Sequence, residues 1–212
     1  MTVPVPVKLP SNNMADLAYP DIQAYLKECD MVLVPMASTE QHGPHLPLCT
    51  DTVTAIEVAS RVAKINNMLH TPAIWTGYSP QHMAGPGEGR GTITIRSSTL
   101  QALMYDVARS LIHHGFNKIL FINGHGSNVK VVDPVLRKIR YDTGAMVGCV
   151  APRAACREAE DHGAQVIVVA VEGDFDEVSL DRFIPARELR LNEIRLTVEH
   201  AHADVHRIVI DE

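Results

Sequence analysis

Residues 97–128 read SSTLQALMYDVARSLIHHGFNKILFINGHGSN, and this stretch decides the fold class. Leu100, Leu103, Met104, Val107, Ala108, Leu111 and Ile112 recur at the i, i+3, i+4, i+7 spacing of one helical face. Ser97 or Ser98 is the expected N-cap, and Gly115 the expected closing residue just past the helix end. Lys118–Ile122 (KILFI) is an apolar run of strand length, followed by the tight turn Asn123-Gly-His-Gly-Ser-Asn128. A helix from about Ser127 to Asp142 and a strand over Ala145–Val150 complete the unit. Strands and helices alternating across short links predict a parallel sheet covered on both faces.

Upstream, the same alternation holds. Residues 1–15 carry Pro4, Pro6 and Pro10 and read as an extended arm, and 18–29 as a short helix. Met31–Met36 (MVLVPM) reads as a buried strand, 37–51 (ASTEQHGPHLPLCTD) as a Gly/Pro-punctuated loop, and Thr52–Ile65 as a helix with Asp51 as its cap. Thr71–Thr76 and Thr92–Ile95 are further strand candidates. Between them lies an irregular loop, 77–91, holding five of the chain's 13 glycines. Beyond Val150, residues 152–162 are predicted helical, Gln165–Val171 (QVIVVAV) is a strand, and 186–198 fits either state. With no linker in the sequence, residues 1–212 are expected to form one domain.

Composition narrows the function classes. The chain has 212 residues, 46% of them hydrophobic and 21% charged, which is ordinary for a globular protein. A net charge of −6 without a long basic run argues against nucleic-acid and anionic membrane surfaces. No apolar stretch reaches the ~20 residues of a membrane-spanning helix, and no secretory leader pattern opens the sequence. Cys29, Cys49, Cys149 and Cys156 form no C-x-x-C pair, so a cytoplasmic location is expected. Histidine, at 11 residues, is the unusual number.

Ligands of parallel α/β sheets bind at the carboxyl ends of the strands. After MVLVPM come Glu40, His42, His45 and Asp51; after KILFI comes His125. In an extended segment Glu40 and His42 point the same way, and Asp51 returns to them across the loop. Glu40, His42, Asp51 and His125 are therefore candidate ligands of a two-ion site with a shared carboxylate. Mixed nitrogen and oxygen donors suit Zn²⁺ or Mn²⁺ better than Ca²⁺ or Mg²⁺. A hydrogen-bonded polar loop without metal is the competing reading of the same spacing. His45 is either a support for these ligands or an exposed loop residue. His82, in the glycine-rich loop, is the candidate catalytic residue that orients substrate or protonates a leaving group; a solvated loop histidine is the alternative. Glu88 reads as solvated, and His113-His114 as a structural pair complementing the dipole of its helix.

Three segments carry a family resemblance. Glu40-Gln-His-Gly-Pro-His-Leu-Pro-Leu-Cys-Thr-Asp51, preceded by Val34-Pro-Met-Ala-Ser-Thr39, resembles the first signature of the creatininase (creatinine amidohydrolase) family. Asn123-Gly-His-Gly-Ser-Asn128 is similar to its second. Gly77-Tyr-Ser-Pro-Gln-His82 with Gly91-Thr92 resembles the segment between them. The resemblance covers about residues 20–150. It implies a three-layer α/β/α sandwich around a mainly parallel sheet, a binuclear metal centre of zinc or manganese (iron being a further option), and a homo-oligomer, commonly a hexamer. Carried over by position, Glu40 and His125 bind one ion, His42 the other, and Asp51 bridges. The implied reaction is hydrolysis of a small polar cyclic compound or amide by a hydroxide held between the ions. His42 and His125 each then need their second ring nitrogen held by another group.

The resemblance also has gaps. The family often shows Glu where this chain has Gln81, and the further carboxylate expected two residues after the motif histidine is replaced by Ser127. Glu172 and Asp174, in a segment faintly like a later family motif, are weak stand-ins, and 151–212 reads as a divergent or truncated end. From Gly77 to Gly144 the sequence is most similar to a subgroup acting on inosose-type cyclic ketones, where a C–C bond is cut. Two other functions compete: a degenerate, catalytically weak member serving as a binding or assembly subunit, and a phosphate-ligand protein using the 124–128 turn. The tail motif His200-x-His202-x-x-x-His206 is a possible separate metal site, with a solvated segment as its alternative.

Overall fold

The side chains of each central strand alternate between two apolar layers, and that alternation organises the molecule. A computed structural model describes residues 8–151 in full and, beyond them, the backbone of three strands, 165–170, 195–201 and 205–211. The elements are α1 (Tyr19–Tyr25), β1 (Met31–Met36), α2 (Thr50–Asn66), β2 (Leu69–His70), α3 (Ser97–His113), β3 (Lys118–Asn123), α4 (Val129–Thr143), β4 (Met146–Val150), β5 (Gln165–Ala170), β6 (Arg195–Ala201) and β7 (Val205–Asp211). They build one sheet of order β2-β1-β3-β4-β5-β7-β6. The first four strands are parallel; β5, β7 and β6 extend the sheet by antiparallel pairing.

Val32, Val34, Ile119, Phe121, Val147 and Cys149 face one layer, where α3 and α4 supply Leu100, Met104, Leu111, Leu136 and Ile139. Met31, Leu33, Ile122 and Val150 face the other, where α2 presents Ala59 and Ala63. Helices therefore cover both faces, giving the α/β/α sandwich. Gly115, at φ 106°, takes the left-handed position that closes α3. No helix among the described residues is long and apolar enough to cross a membrane.

Several boundaries differ from the sequence reading. Helix α2 starts at Thr50 with Cys49 at its cap, so Asp51 lies inside the first turn and its carboxylate is turned elsewhere. Arg96, not a serine, occupies the cap position of α3. Strand β2 stops at His70, ahead of Pro72, and only Ile74 of the expected 71–76 strand bridges to β1, at Met36. Thr92–Ile95 makes isolated bridges, Ile93 to Thr39 and Thr94 to Gly77, instead of a strand. A 3₁₀ turn over Gly126–Asn128 delays α4 to Val129. The predicted helix at 152–162 and the candidates Glu172 and Asp174 lie outside the described residues.

From β1 the chain runs to β2 on one side and then to β3 on the other. The strand order thus reverses at β1, and the loops leaving β1 and β3 head for opposite faces: α2 lies on one, α4 on the other. Between the carboxyl ends of these two strands the topology opens a crevice.

Candidate metal centre

Glu40, His42, Asp51 and His125 meet in that crevice. Past β1 the chain stays extended, pinned by Ala37 N–H to the Ile74 carbonyl and by Ile93 N–H to the Thr39 carbonyl. Glu40 N–H donates to the Leu48 carbonyl and closes the loop that leads into α2. The first turn of α2 then carries Asp51 back onto Glu40 and His42, where the helix N-terminus favours a carboxylate. One ligand atom from each of Glu40, His42 and Asp51 lies within 4.8 Å of the others. His125 Nδ1 is 2.9 Å from Asp51 Oδ2 and 3.3 Å from Glu40 Oε1. His42 Nε2 is 3.1 Å from Asp51 Oδ1. Each oxygen of Asp51 therefore faces a different imidazole.

The surrounding chain is built to hold this arrangement. Asn123 grips the His125 backbone from both sides: its Oδ1 accepts from His125 N–H and its Nδ2 donates to the His125 carbonyl. Asn128, fully buried, accepts from Tyr78 N–H and donates to the Ala37 carbonyl, tying the loops after β1 and β3 to the start of the 77–91 loop. A Cβ at Gly124 would collide with the Asp51 backbone carbonyl, so only glycine allows α2 to seat against this turn. Within the turn, the N–H groups of Gly124, His125 and Asn128 are donated to Met36, Asn123 and His125.

Both ligand imidazoles are oriented by acceptors behind them. His42 Nδ1 meets the backbone carbonyl of Glu40 at 3.1 Å, which makes Nδ1 the proton-bearing atom and leaves Nε2 facing Asp51. His125 is held the opposite way round: Nε2 meets the Tyr78 carbonyl at 3.1 Å and the Ser79 hydroxyl at 3.0 Å, leaving Nδ1 toward the carboxylates.

Burial disfavours charge on His125, but its hydrogen bonds to the Asp51 and Glu40 carboxylates outweigh burial and push the imidazole up to about 9. Burial likewise disfavours a charged Glu40; contact with His125 prevails and holds the carboxyl below its ordinary value. Among the described residues, one buried side-chain oxygen, Glu40 Oε2, has no hydrogen-bond partner. Two buried carboxylates, two pre-oriented imidazoles and an orphaned oxygen are the donor set a divalent cation satisfies, displacing the Nδ1 proton and taking over its charge. The residues fit a metal.

His82 also reaches the cluster. It sits on the 3₁₀ turn Pro80–Met83, with Nε2 3.5 Å from Glu40 Oε2, beyond hydrogen-bonding geometry. Gln41 fixes its ring: Gln41 Oε1 accepts from Gly43 N–H, so the amide NH₂ donates to His82 Nδ1 at 3.2 Å. The ring proton is thereby placed on Nε2, toward the site. His45 is exposed beside Gly43, away from the cluster, and Glu88 accepts from Gly85 N–H on the outside of the loop. His200 and His206 are register partners between β6 and β7, while His202 lies outside the described residues. Ser38, Ser79, Asn123 and Asn128 were given no role by sequence reading, although all four stand inside the segments that carry the family resemblance.

A sheet whose parallel, helix-covered half carries histidines and carboxylates at its switch point defines an α/β protein with a metal-type site. The creatinine amidohydrolase family model matches residues 15–203, and the chain belongs to the creatininase family. It is 37% identical over 132 residues to a mycofactocin precursor peptide peptidase of Mycolicibacterium smegmatis, covering 58% of this chain and 51% of that protein. A 3-dehydro-scyllo-inosose hydrolase of Thermotoga maritima is 33% identical over 105 residues, 50% of this chain and 33% of that one. A creatinine amidohydrolase of Pseudomonas putida is 31% identical over 134 residues, 60% and 52% of the two chains. The chain thus matches at most about half the length of these relatives. Among solved structures, a mutant creatininase of Zn–Zn type superposes with a TM-score of 0.60 at 27% identity, over 69% of this chain and 60% of that one. A manganese form of creatininase gives 0.61 at 26%, over 71% and 62%.

Proposed function

We propose that this chain is a metal-dependent hydrolase acting on a small polar cyclic compound or amide, assembled as a homo-oligomer. The observation that carries this reading is the convergence of Glu40, His42, Asp51 and His125, each imidazole already turned by a fixed acceptor. Divalent cations bound there, zinc or manganese, supply Lewis acidity toward a carbonyl and lower the pKa of water. Glu40 and His125 would hold one ion and His42 the other, with Asp51, one oxygen toward each imidazole, shared between them. His82 presents the proton on its Nε2 to the crevice and is positioned to protonate a leaving group, with Gln41 keeping that proton on the correct nitrogen. The three relatives are named as a peptidase, a hydrolase and an amidohydrolase, so hydrolysis is their shared chemistry while their bonds differ. The inosose hydrolase keeps a C–C bond in a cyclic ketone as the alternative substrate class.

A second reading has its own observation. Gln81 Nε2 donates to Ser127 Oγ at 2.7 Å, a neutral pair at the two positions where the family resemblance implies carboxylates. It favours a weaker second ion and a catalytically poor member. Metal stoichiometry on chelator-free protein decides between the two. About two zinc or manganese ions per chain, lost in Asp51→Ala, support the hydrolase. One ion or none sinks the two-ion mechanism and favours the second reading.

A further inference from the structure

The contacts of His125 look at first like those of a serine nucleophile's triad. Ser79 Oγ lies 3.0 Å from Nε2, and Asp51 Oδ2 lies 2.9 Å from Nδ1. The Tyr78 carbonyl rules that use out. A carbonyl only accepts, so the ring nitrogen 3.1 Å from it bears a proton and cannot take one from Ser79. Ser79 is also fully buried, with its hydroxyl sharing a 2.6 Å hydrogen bond with the equally buried Ser38 hydroxyl.

Resting on the metal reading above, we propose that Ser79, backed by Ser38, is a positioning residue for the metal. With the Tyr78 carbonyl it holds the Nε2–H of His125, commits Nδ1 to the cation and thereby sets the cation affinity. Ser79 Oγ accepts from Nε2–H and shares a hydrogen bond with Ser38 Oγ, so the hydroxyl is held from both sides. The neighbourhood is rigid: Ser79 N–H donates to Thr94 Oγ1, and Tyr78 N–H to Asn128 Oδ1. Residues 78 and 79 lead directly into the turn that carries His82. One short segment therefore holds the back of a metal ligand and presents the candidate proton donor to the front of the same site. Groups that hold the far nitrogen of a ligating histidine typically govern metal affinity by about tenfold to a hundredfold.

The test uses Zn²⁺ as the probe on the full chain. ¹⁵N-histidine spectra of the zinc-loaded wild type are expected to show His125 bound through Nδ1 and protonated at Nε2. Chelator competition is expected to show Ser79→Ala binding zinc about tenfold to a hundredfold more weakly. Zinc on Nε2 of His125, or a loss in Ser79→Ala of less than tenfold, overturns the proposal. If Ser79→Ala does not fold, Ser79→Cys, which keeps the volume and weakens the acceptor, is measured against the same tenfold threshold. A wild type that binds no zinc overturns the metal reading and this one together. Normal zinc binding with an insensitive Ser79 overturns only this one.

Discussion

The two layers that sandwich the sheet are made of different material. On one side α3 and α4 bring Leu100, Met104, Leu136 and Ile139 against Phe116 and Phe121, a thick layer of large side chains. On the other, α2 turns Ala55, Ala59 and Ala63, all fully buried, toward the strands. Small residues let a helix backbone approach closely, and here the approach is so near that Gly124 leaves no room for a side chain beneath Asp51. The thick layer holds the fold together, whereas the thin layer sets where the first turn of α2, and hence a metal ligand, comes to rest.

Substitutions in the two layers test that division. Leu100→Ala, in the thick layer, should lose about 2–5 kcal/mol of stability by chemical denaturation while folded protein keeps its zinc affinity. A parallel loss of zinc affinity would break the distinction. Ala59→Leu, in the thin layer, should cost about 1–3 kcal/mol through overpacking, yet weaken zinc binding although it lies two turns from Asp51. Unchanged zinc affinity would show that the spacing of α2 does not govern the site. The smallest effect is chemical. Burial pushes the Cys149 thiol, in the thick layer, up to about 12, while Cys49 at the head of α2 is exposed. Alkylation near pH 8 should label Cys49 within minutes and leave Cys149 until the chain unfolds. Raising the pH above the ordinary thiol value should destabilise the fold slightly, because the unfolded thiol ionises first. Early labelling of Cys149 would mean that the thick layer opens locally.

Much of this division can be read from residue order. The short apolar runs MVLVPM and KILFI and the helical stripe from Leu100 to Ile112 predict the strands and α3, because a strand covered on both faces is apolar throughout and a helix covered on one face is apolar at its own period. Glu40, His42, Asp51 and His125 were all nameable from their places after two strands, and the structure brings them together; His45, read as either a support or an exposed loop residue, is exposed. Cap positions were less legible: Asp51 is a good capping residue by type, but the helix begins two residues earlier than expected and the Asp51 carboxylate faces the crevice. The supports were not legible. Ser38 and Ser79 stand inside quoted motif segments, but they are 41 residues apart and no pattern local to either shows that their hydroxyls meet. The roles of Asn123 and Asn128 likewise exist only once three loops have met.

The opposed tethering of His42 and His125 has a consequence for mimicry. An asparagine side chain places its amide near the Nδ1 position of histidine, and a glutamine reaches the Nε2 position. His125 turns Nδ1 inward and His42 turns Nε2 inward. Amide replacement is therefore expected to be stereochemically asymmetric: Asn is the better surrogate at 125 and Gln at 42, and exchanging the two amides should cost more than either preferred choice.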